Sequence, residues 1–370
     1  MQSIGVAIIG AGQIALANHL PGLRLTEQAE VVAVCDSNPQ TLENAKRQAE
    51  VDAAFLNYQD ALSHPGVDAV IIATPNFLHP RIVLAAAAAN KHILCEKPIA
   101  LNYPEAMEMY RAAEAADVRH MTAFTYRFVP AMRYLKHLVD RGDIGEIYHF
   151  RANRFQDWGE RELGWRQLAA LAGTGELGDM LSHRIDYAHH LIGPIERLAA
   201  DMRRMIPTRG RAPSDVDDWV AMLADFQSGT TGVLESTKVA TGIGEGHGGE
   251  DLVQINGLEA SAAYSTQNPL KLRIARRGEK SFREIDVPGE FLVWPGSPRD
   301  PGQGDPLATF RYDQDFEFID AIMNDRPCTP SLLEGAAVQA VMDATVLAAD
   351  ERRWVEIHEI TSNRAVGDST

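Results

Sequence analysis

A chain of 370 residues exceeds what one compact core accommodates, so two domains are expected. Apolar residues at 45% and charged residues at 23% are an ordinary globular balance, with enough apolar material for a sizeable core. Thirty-five basic against 51 acidic residues give a net charge of −16, which argues against binding nucleic acid or an anionic membrane through overall charge.

In chain order, the first third alternates short apolar runs with amphipathic stretches. Strands are predicted at 4–9, 31–35, 53–56, 67–73, 92–95 and 119–124, with helices from about 13 and at 39–49, 81–89 and 103–115. This alternation predicts a Rossmann α/β fold with a doubly wound parallel sheet. Beyond 124 the pattern changes. A helix at 130–140 leads into β-rich segments at 146–155, 197–206, 219–226, 230–239, 251–255, 260–265 and 271–276, with helices at 177–191, 313–323 and 331–349. Alternating burial and β-branched content predict an α+β domain with a large, open, mostly antiparallel sheet. The reading therefore divides the chain into a nucleotide-binding domain, 1–124, and a second domain, 125–370. Two loops stand out, the glycine-rich 242–249 and the irregular 294–306. Each reads as a surface connection, with a lid or interface element as the alternative.

The three cysteines, Cys35, Cys95 and Cys328, are far apart and form no CxxC pair. Neither a disulfide framework nor a cysteine zinc site is indicated, and buried or semi-buried thiols of a reducing compartment are expected. The first residues lack a basic n-region and a small-residue cleavage site, and no apolar run approaches the roughly 20 residues of a membrane span. A cytoplasmic location is expected.

Gly10-Ala11-Gly12-Gln13-Ile14-Ala15 has the form GxGxxA, directly after a strand and opening a helix. Gly10 permits the tight turn, Gly12 lets backbone approach a pyrophosphate, and Ala15 allows close packing of helix and strand. The helix start at Gln13 and Ile14 faces the phosphates. Asp36 ends the second strand, where a carboxylate binds ribose hydroxyls and repels a 2′-phosphate. A nicotinamide dinucleotide is expected, NAD before NADP, unless a basic residue such as Arg47 folds over the site.

Further on come Ala73-Thr74-Pro75-Asn76-Phe77-Leu78-His79, Cys95-Glu96-Lys97-Pro98, Tyr126-Arg127-Phe128, Trp165-Arg166 and the stretch from Leu177 to Leu191 containing Gly178-Asp179-Met180-Leu181-Ser182-His183. With the glycine turn, this set resembles the glucose–fructose oxidoreductase / inositol dehydrogenase / MocA family over most of the chain. The resemblance implies a Rossmann domain and an open-sheet domain with the active site between them. It implies a polyhydroxylated substrate, a sugar or cyclitol, and a homodimer or homotetramer formed through the C-terminal sheet. The lysine of the family's Glu-Lys-Pro motif falls on Lys97, and its Asp-x-x-x-His pair on Asp179 and His183. It also implies that Thr74, Pro75, Asn76, His79, Glu96, Lys97, Trp165 and Arg166 line the cofactor, and that Lys97, Tyr126, Arg127, Arg154, Asp179 and His183 lie near substrate.

The residues themselves support the first three. Asp179 and His183 are four apart on a predicted helix, hence on one face. Oxidising an alcohol requires hydride to leave carbon while a proton leaves oxygen, and the acceptor needs a pKa near working pH. His183 is assigned as general base, with Asp179 orienting it or bonding a neighbouring hydroxyl. Lys97 stabilises the charge developing on oxygen, and the exchange of roles between Lys97 and His183 stays open. Taken singly, Glu96-Lys97 reads as an exposed strand end, the Asp179/His183 pair as an inconsequential helix contact, and Arg154 as sheet-surface charge. A metal cluster around His183, Asp186, His189 and His190 is disfavoured, because adjacent histidines point apart on a helix. Two further readings compete with the dehydrogenase. One is an NAD-dependent glycosidase working by transient oxidation, elimination and hydride return; the other is a non-enzymatic dinucleotide sensor.

Overall fold

The computed structural model describes residues 3–159, 161–244 and 249–362. The chain forms two compact units, Met1–Phe128 with Val293–Ala336, and Val129–Leu292 with Ala337–Thr370. The sequence reading assigned everything after 124 to the second domain. The structure corrects this, because 293–336 returns to the first unit.

The first unit is built on β1 (Ile4–Ile9), β2 (Ala29–Cys35), β3 (Ala53–Phe55), β4 (Ala69–Ile72), β5 (His92–Cys95) and β6 (His120–Thr122). They lie in the order β3-β2-β1-β4-β5-β6, all parallel. Strands buried on both faces are apolar without alternation, as Ala69–Ile72 shows. Small residues let the helices approach closely; Ala86 and Ala87 of the helix His79–Ala88 are buried in this core. Winding reverses at β1 and β4, which leaves a crevice beyond the carboxyl ends of the strands. The residues that follow β1, β4 and β5 are therefore the ones a ligand meets.

The helix after β1 does not run evenly. Ala15–His19 forms a wide π turn, with the Leu20 N–H bonded to the Ala15 carbonyl, before the α-helical segment Leu20–Leu25. Pro21 supplies the cause, since it lacks an N–H and its ring would strike the carbonyl four residues back in a regular helix.

The loop 294–306 is tied down within the first unit. The Trp294 indole N–H donates to Glu317 Oε2 at 2.7 Å, and buried Arg299 pairs with Asp313 at 2.8 Å. These anchors turn the expected surface connection into a fixed strap. The tip of the other unusual loop, 245–248, lies outside the described residues.

The second unit contains β7 (Ile147–Phe155), β8 (Ile195–Arg203), β9 (Thr208–Arg209), β10 (Ala212–Pro213), β11 (Trp219–Phe226), β12 (Thr231–Thr237), β13 (Glu250–Gly257), β14 (Ala260–Ser265), β15 (Lys271–Arg276), β16 (Arg283–Asp286) and β17 (Val355–Glu356). Nine of them form one sheet in the order β16-β15-β14-β13-β7-β12-β11-β8-β17, and β9 pairs with β10 alone. Every neighbour in the large sheet is antiparallel except β7 with β12. Alternating burial along β11 and β12 gives one covered face and one open face.

The helix Leu332–Glu351 corrects the expectation that no segment approaches spanning length. It has 20 residues and is apolar enough to cross a bilayer by composition, yet 61% of its most apolar stretch is buried inside the protein. Gly335, Gln339 and Asp343 interrupt its apolar run, which is why the sequence does not display it. It is the kind of helix that a large core requires.

Candidate active site

In the first unit the crevice is organised around the glycine turn. Gly10 has φ +88°, a left-handed conformation, and a Cβ there would lie 2.6 Å from the Ala73 carbonyl and 2.7 Å from the Thr74 N. The turn after β1 thus presses on the turn after β4. At Gly12 an added Cβ would meet nothing within 4 Å among the described residues, so the side from which a pyrophosphate approaches is open. Asp36 is fixed by two backbone donors, with Ala11 N on Oδ2 at 3.0 Å and Asn38 N on Oδ1 at 2.8 Å. Each oxygen keeps a lone pair for a ribose hydroxyl. Asn38 in turn caps the next helix by accepting from Gln40 N and Thr41 N. These residues fit a dinucleotide.

The two glycines separate experimentally. Gly10→Ala is expected to cost at least about 1–2 kcal/mol from the left-handed backbone alone, read as a lower Tm. Gly12→Ala is expected to leave Tm unchanged while NAD affinity falls roughly tenfold, because only Gly12 admits the pyrophosphate. Unchanged NAD affinity in Gly12→Ala, measured by calorimetric titration, would reject this division.

Beyond β4 and β5, His79 is fully buried. Its Nδ1 lies 3.0 Å from the Pro98 carbonyl and its Nε2 2.9 Å from the Thr74 carbonyl. Burial depresses its pKa, against the pull of those two carbonyls. The ring ties the loop after β4 to the Lys97–Pro98 turn, whose peptide is cis. Both ring nitrogens are thus engaged by backbone carbonyls of the two loops. Asn76 is buried in the single turn Asn76–Leu78, next to half-buried Thr74 and Pro75. The Thr74 hydroxyl has no hydrogen-bond partner among the described residues. Glu96 Oε2 accepts from Lys97 N at 3.2 Å, and Lys97 is half-buried.

Arg127 is buried and paired with Glu334 Oε1 at 2.5 Å, while Glu334 Oε2 accepts Ser331 N at 2.6 Å. Tyr126 is half-buried beside Phe310, with the Arg311 guanidinium 5.6 Å from its ring.

In the second unit, Asp179 sits in a second π turn, Leu177–Leu181, which runs into the α-helix Ser182–Leu191 carrying His183. Wide turns of this kind recur at functional sites. Two residues unseen in the sequence set the start of this helix. Asp217 accepts Gly175 N at 2.6 Å and Leu177 N at 2.8 Å, and a Cβ on Gly175 would lie 2.0 Å from the Asp217 carbonyl. Glu176 is buried, bonds the Ser236 hydroxyl, and lies 3.8 Å from buried Lys238. Burial pushes the Glu176 carboxyl up to about 7 against the pull of Lys238, and the Asp179 charge pushes the same way as burial.

Trp165 and Arg166 share a short turn, Gly164–Gln167, with the Arg166 guanidinium 4.4 Å from the Trp165 ring. Buried Gln167 anchors that turn by accepting Leu163 N and donating to the Pro213 carbonyl, both at 2.9 Å. Arg154 and Arg184 flank Asp251, all three buried, and Arg154 is 3.8 Å from the carboxylate. That ion cluster engages Arg154 within the second unit.

Residues 4–124 match an oxidoreductase family with an NAD-binding Rossmann fold, and 132–262 match the GFO/IDH/MocA C-terminal domain. The chain belongs to the GFO/IDH/MocA oxidoreductase family. Among curated members, levoglucosan dehydrogenase of Pseudarthrobacter phenanthrenivorans is 30% identical across 98% of this chain and all of its own length. The solved structure of levoglucosan dehydrogenase with NADH and levoglucosan superposes with a TM-score of 0.88, at 30% identity over 96% of this chain and 100% of that one. A second relative, the 2,7-anhydro-N-acetylneuraminate hydratase of Escherichia coli, is 32% identical over 63% of this chain and 61% of its own. As a GFO/IDH/MocA member, the chain is an NAD-binding oxidoreductase of the sugar-dehydrogenase type.

Proposed function

We propose that this oxidoreductase removes hydride from a ring carbinol carbon of a sugar or cyclitol, with Lys97, His183 and Asp179 as its catalytic groups. The observation that carries the reading is the crowding of the open Gly12 turn, Thr74 and Glu96-Lys97 at the carboxyl ends of β1, β4 and β5. A bound nicotinamide supplies the hydride acceptor. Lys97 hydrogen-bonds the reacting oxygen and stabilises charge as the proton leaves. His183 takes that proton, and Asp179 holds the imidazole or a neighbouring hydroxyl. Asp36 favours NAD over NADP by repelling a 2′-phosphate.

Anhydrosugars head the list of candidate substrates, because the levoglucosan dehydrogenase relative aligns from end to end. The hydratase relative keeps a second reading in play, a redox-neutral cleavage in which hydride returns to the substrate. Exposed Leu223 on the open face of β11 is consistent with a homodimer or homotetramer formed through the large sheet.

The deciding experiment offers anhydrosugars, aldoses, inositols and glycosides with NAD or NADP, following both absorbance at 340 nm, roughly the reduced-nicotinamide band, and product identity. Steady NADH accumulation supports the dehydrogenase. Product without NADH supports the redox-neutral reading, and neither outcome with any polyol rejects both. Light scattering on the same sample tests the assembly, which a monomeric mass would contradict.

A further inference from the structure

The first unit holds a buried chain of ionisable groups that the proposed chemistry does not use. His19, in the wide turn of the dinucleotide helix, is 1% exposed. Its Nδ1 lies 2.7 Å from Asp315 Oδ1, and its Nε2 3.1 Å from Glu96 Oε1. Carboxylate oxygens only accept, so ring nitrogens facing two carboxylates must both donate, which only the imidazolium does. Asp315 is fully buried, and it comes this close because position 22 is glycine; a Cβ there would lie 2.2 Å from Asp315 Oδ2. Glu96 completes the chain by accepting Lys97 N through its other oxygen.

We propose that Asp315 and His19 are positioning residues, an ionic bridge that locks Glu96, and with it the Lys97 backbone, to the helix that receives the dinucleotide. The proposal rests on the reading of Lys97 given above for its effect on turnover, but not for the bridge itself. The π turn matters here, since a regular helix would rotate position 19 relative to the glycine turn and carry its ring away from Glu96. Dinucleotide seated at the helix start and the amine at position 97 are thereby held to one rigid element.

The charge state follows from the neighbours. Burial lowers the His19 pKa, but Asp315 and Glu96 outweigh it and raise it to about 10. Burial raises the Glu96 carboxyl, and His19 and Lys97 more than reverse this, leaving it below its ordinary value. Among the described residues, the remaining charged or titratable neighbours include Lys97, His79 and Cys95, each of which interacts with Glu96. Removing the Asp315 charge leaves burial opposed by Glu96 alone, so the His19 pKa falls towards the range where enzymes are assayed.

Two measurements on the full chain test the bridge. In 15N-histidine NMR, the His19 ring, assigned by its loss in His19→Gln, is expected to remain doubly protonated at pH 8; a neutral ring at pH 7 overturns the proposal. In Asp315→Asn, kcat is expected to fall about a hundredfold from misplacement of the amine, and to fall further as pH rises from 6 to 8.5, whereas no such fall with rising pH is expected of the wild type. A merely structural Asp315 would lower Tm and leave a pH profile parallel to wild type, and that result also overturns the proposal. The NMR signature survives in Lys97→Ala if the bridge exists, so a failed role for Lys97 and a failed bridge give different results.

Discussion

Lys97→Ala is expected to lower kcat about a thousandfold while changing NAD affinity less than threefold. The kcat loss has the size seen when a preorganised donor to a developing oxyanion is removed. NAD affinity is spared because the elements that fit the dinucleotide, the Gly12 opening and Asp36, do not depend on the amine. The fold is spared as well, because the bond from position 97 to Glu96 Oε2 uses the backbone N–H, which alanine retains. Steady-state NADH production together with calorimetric NAD titration reads both quantities. Lys97→Arg is not expected to restore turnover, since a planar guanidinium presents its donors in a different geometry. A Lys97→Ala enzyme retaining more than a tenth of wild-type turnover would remove Lys97 from the reaction.

His183→Asn and Asp179→Asn are each expected to reduce kcat by about 10²–10⁴, the usual range for a positioned proton acceptor and the group that orients it. Asp179→Asn is isosteric and His183→Asn keeps a short polar side chain, so the helix Ser182–Leu191 and its start at Asp217 and Gly175 are expected to remain intact. The pH profile separates the two divisions of labour left open above. If His183 accepts the proton, the acid limb of kcat/KM disappears in His183→Asn and survives in Lys97→Ala. If Lys97 accepts it, the pattern reverses. The double variant is expected to be little worse than the poorer single one, because groups acting on one proton transfer are not additive. Full turnover in either single variant would dissolve the proposed trio.

Legibility of the site follows sequence distance. The glycine turn, Asp36, Glu96-Lys97 and the Asp179/His183 spacing are local patterns whose chemistry can be read within a few residues. The six parallel strands were equally plain, because strands buried on both faces leave unbroken apolar runs such as Val70-Ile71-Ile72. The partners of His19 were not readable, since 296 positions separate it from Asp315 and no periodicity connects them. Pro21 was the one available signal that the first helix widens. Asp217 and Glu176 were hidden for a related reason, as a carboxylate that caps a distant backbone looks like any surface acid until the fold is known. In the large sheet, alternation marked seven of the nine strands and missed the short edge strands β16 and β17. It could not show that β7 lies between β12 and β13, a pairing set by residues some eighty to a hundred positions apart.

The return of Val293–Ala336 to the first unit bears on how a nascent chain matures. When residue 128 leaves the ribosome, all six parallel strands have been made, but Asp315 and Glu334, the carboxylates facing His19 and Arg127, have yet to be synthesised. Arg127, 207 positions ahead of Glu334, must therefore stay hydrated until that partner is translated, because an uncompensated buried charge is costly, and His19 has only Glu96 to hold its proton until Asp315 follows. No single cut in this polypeptide releases a finished nucleotide-binding module, so shuffling such modules between genes by one crossover would yield an unfinished one.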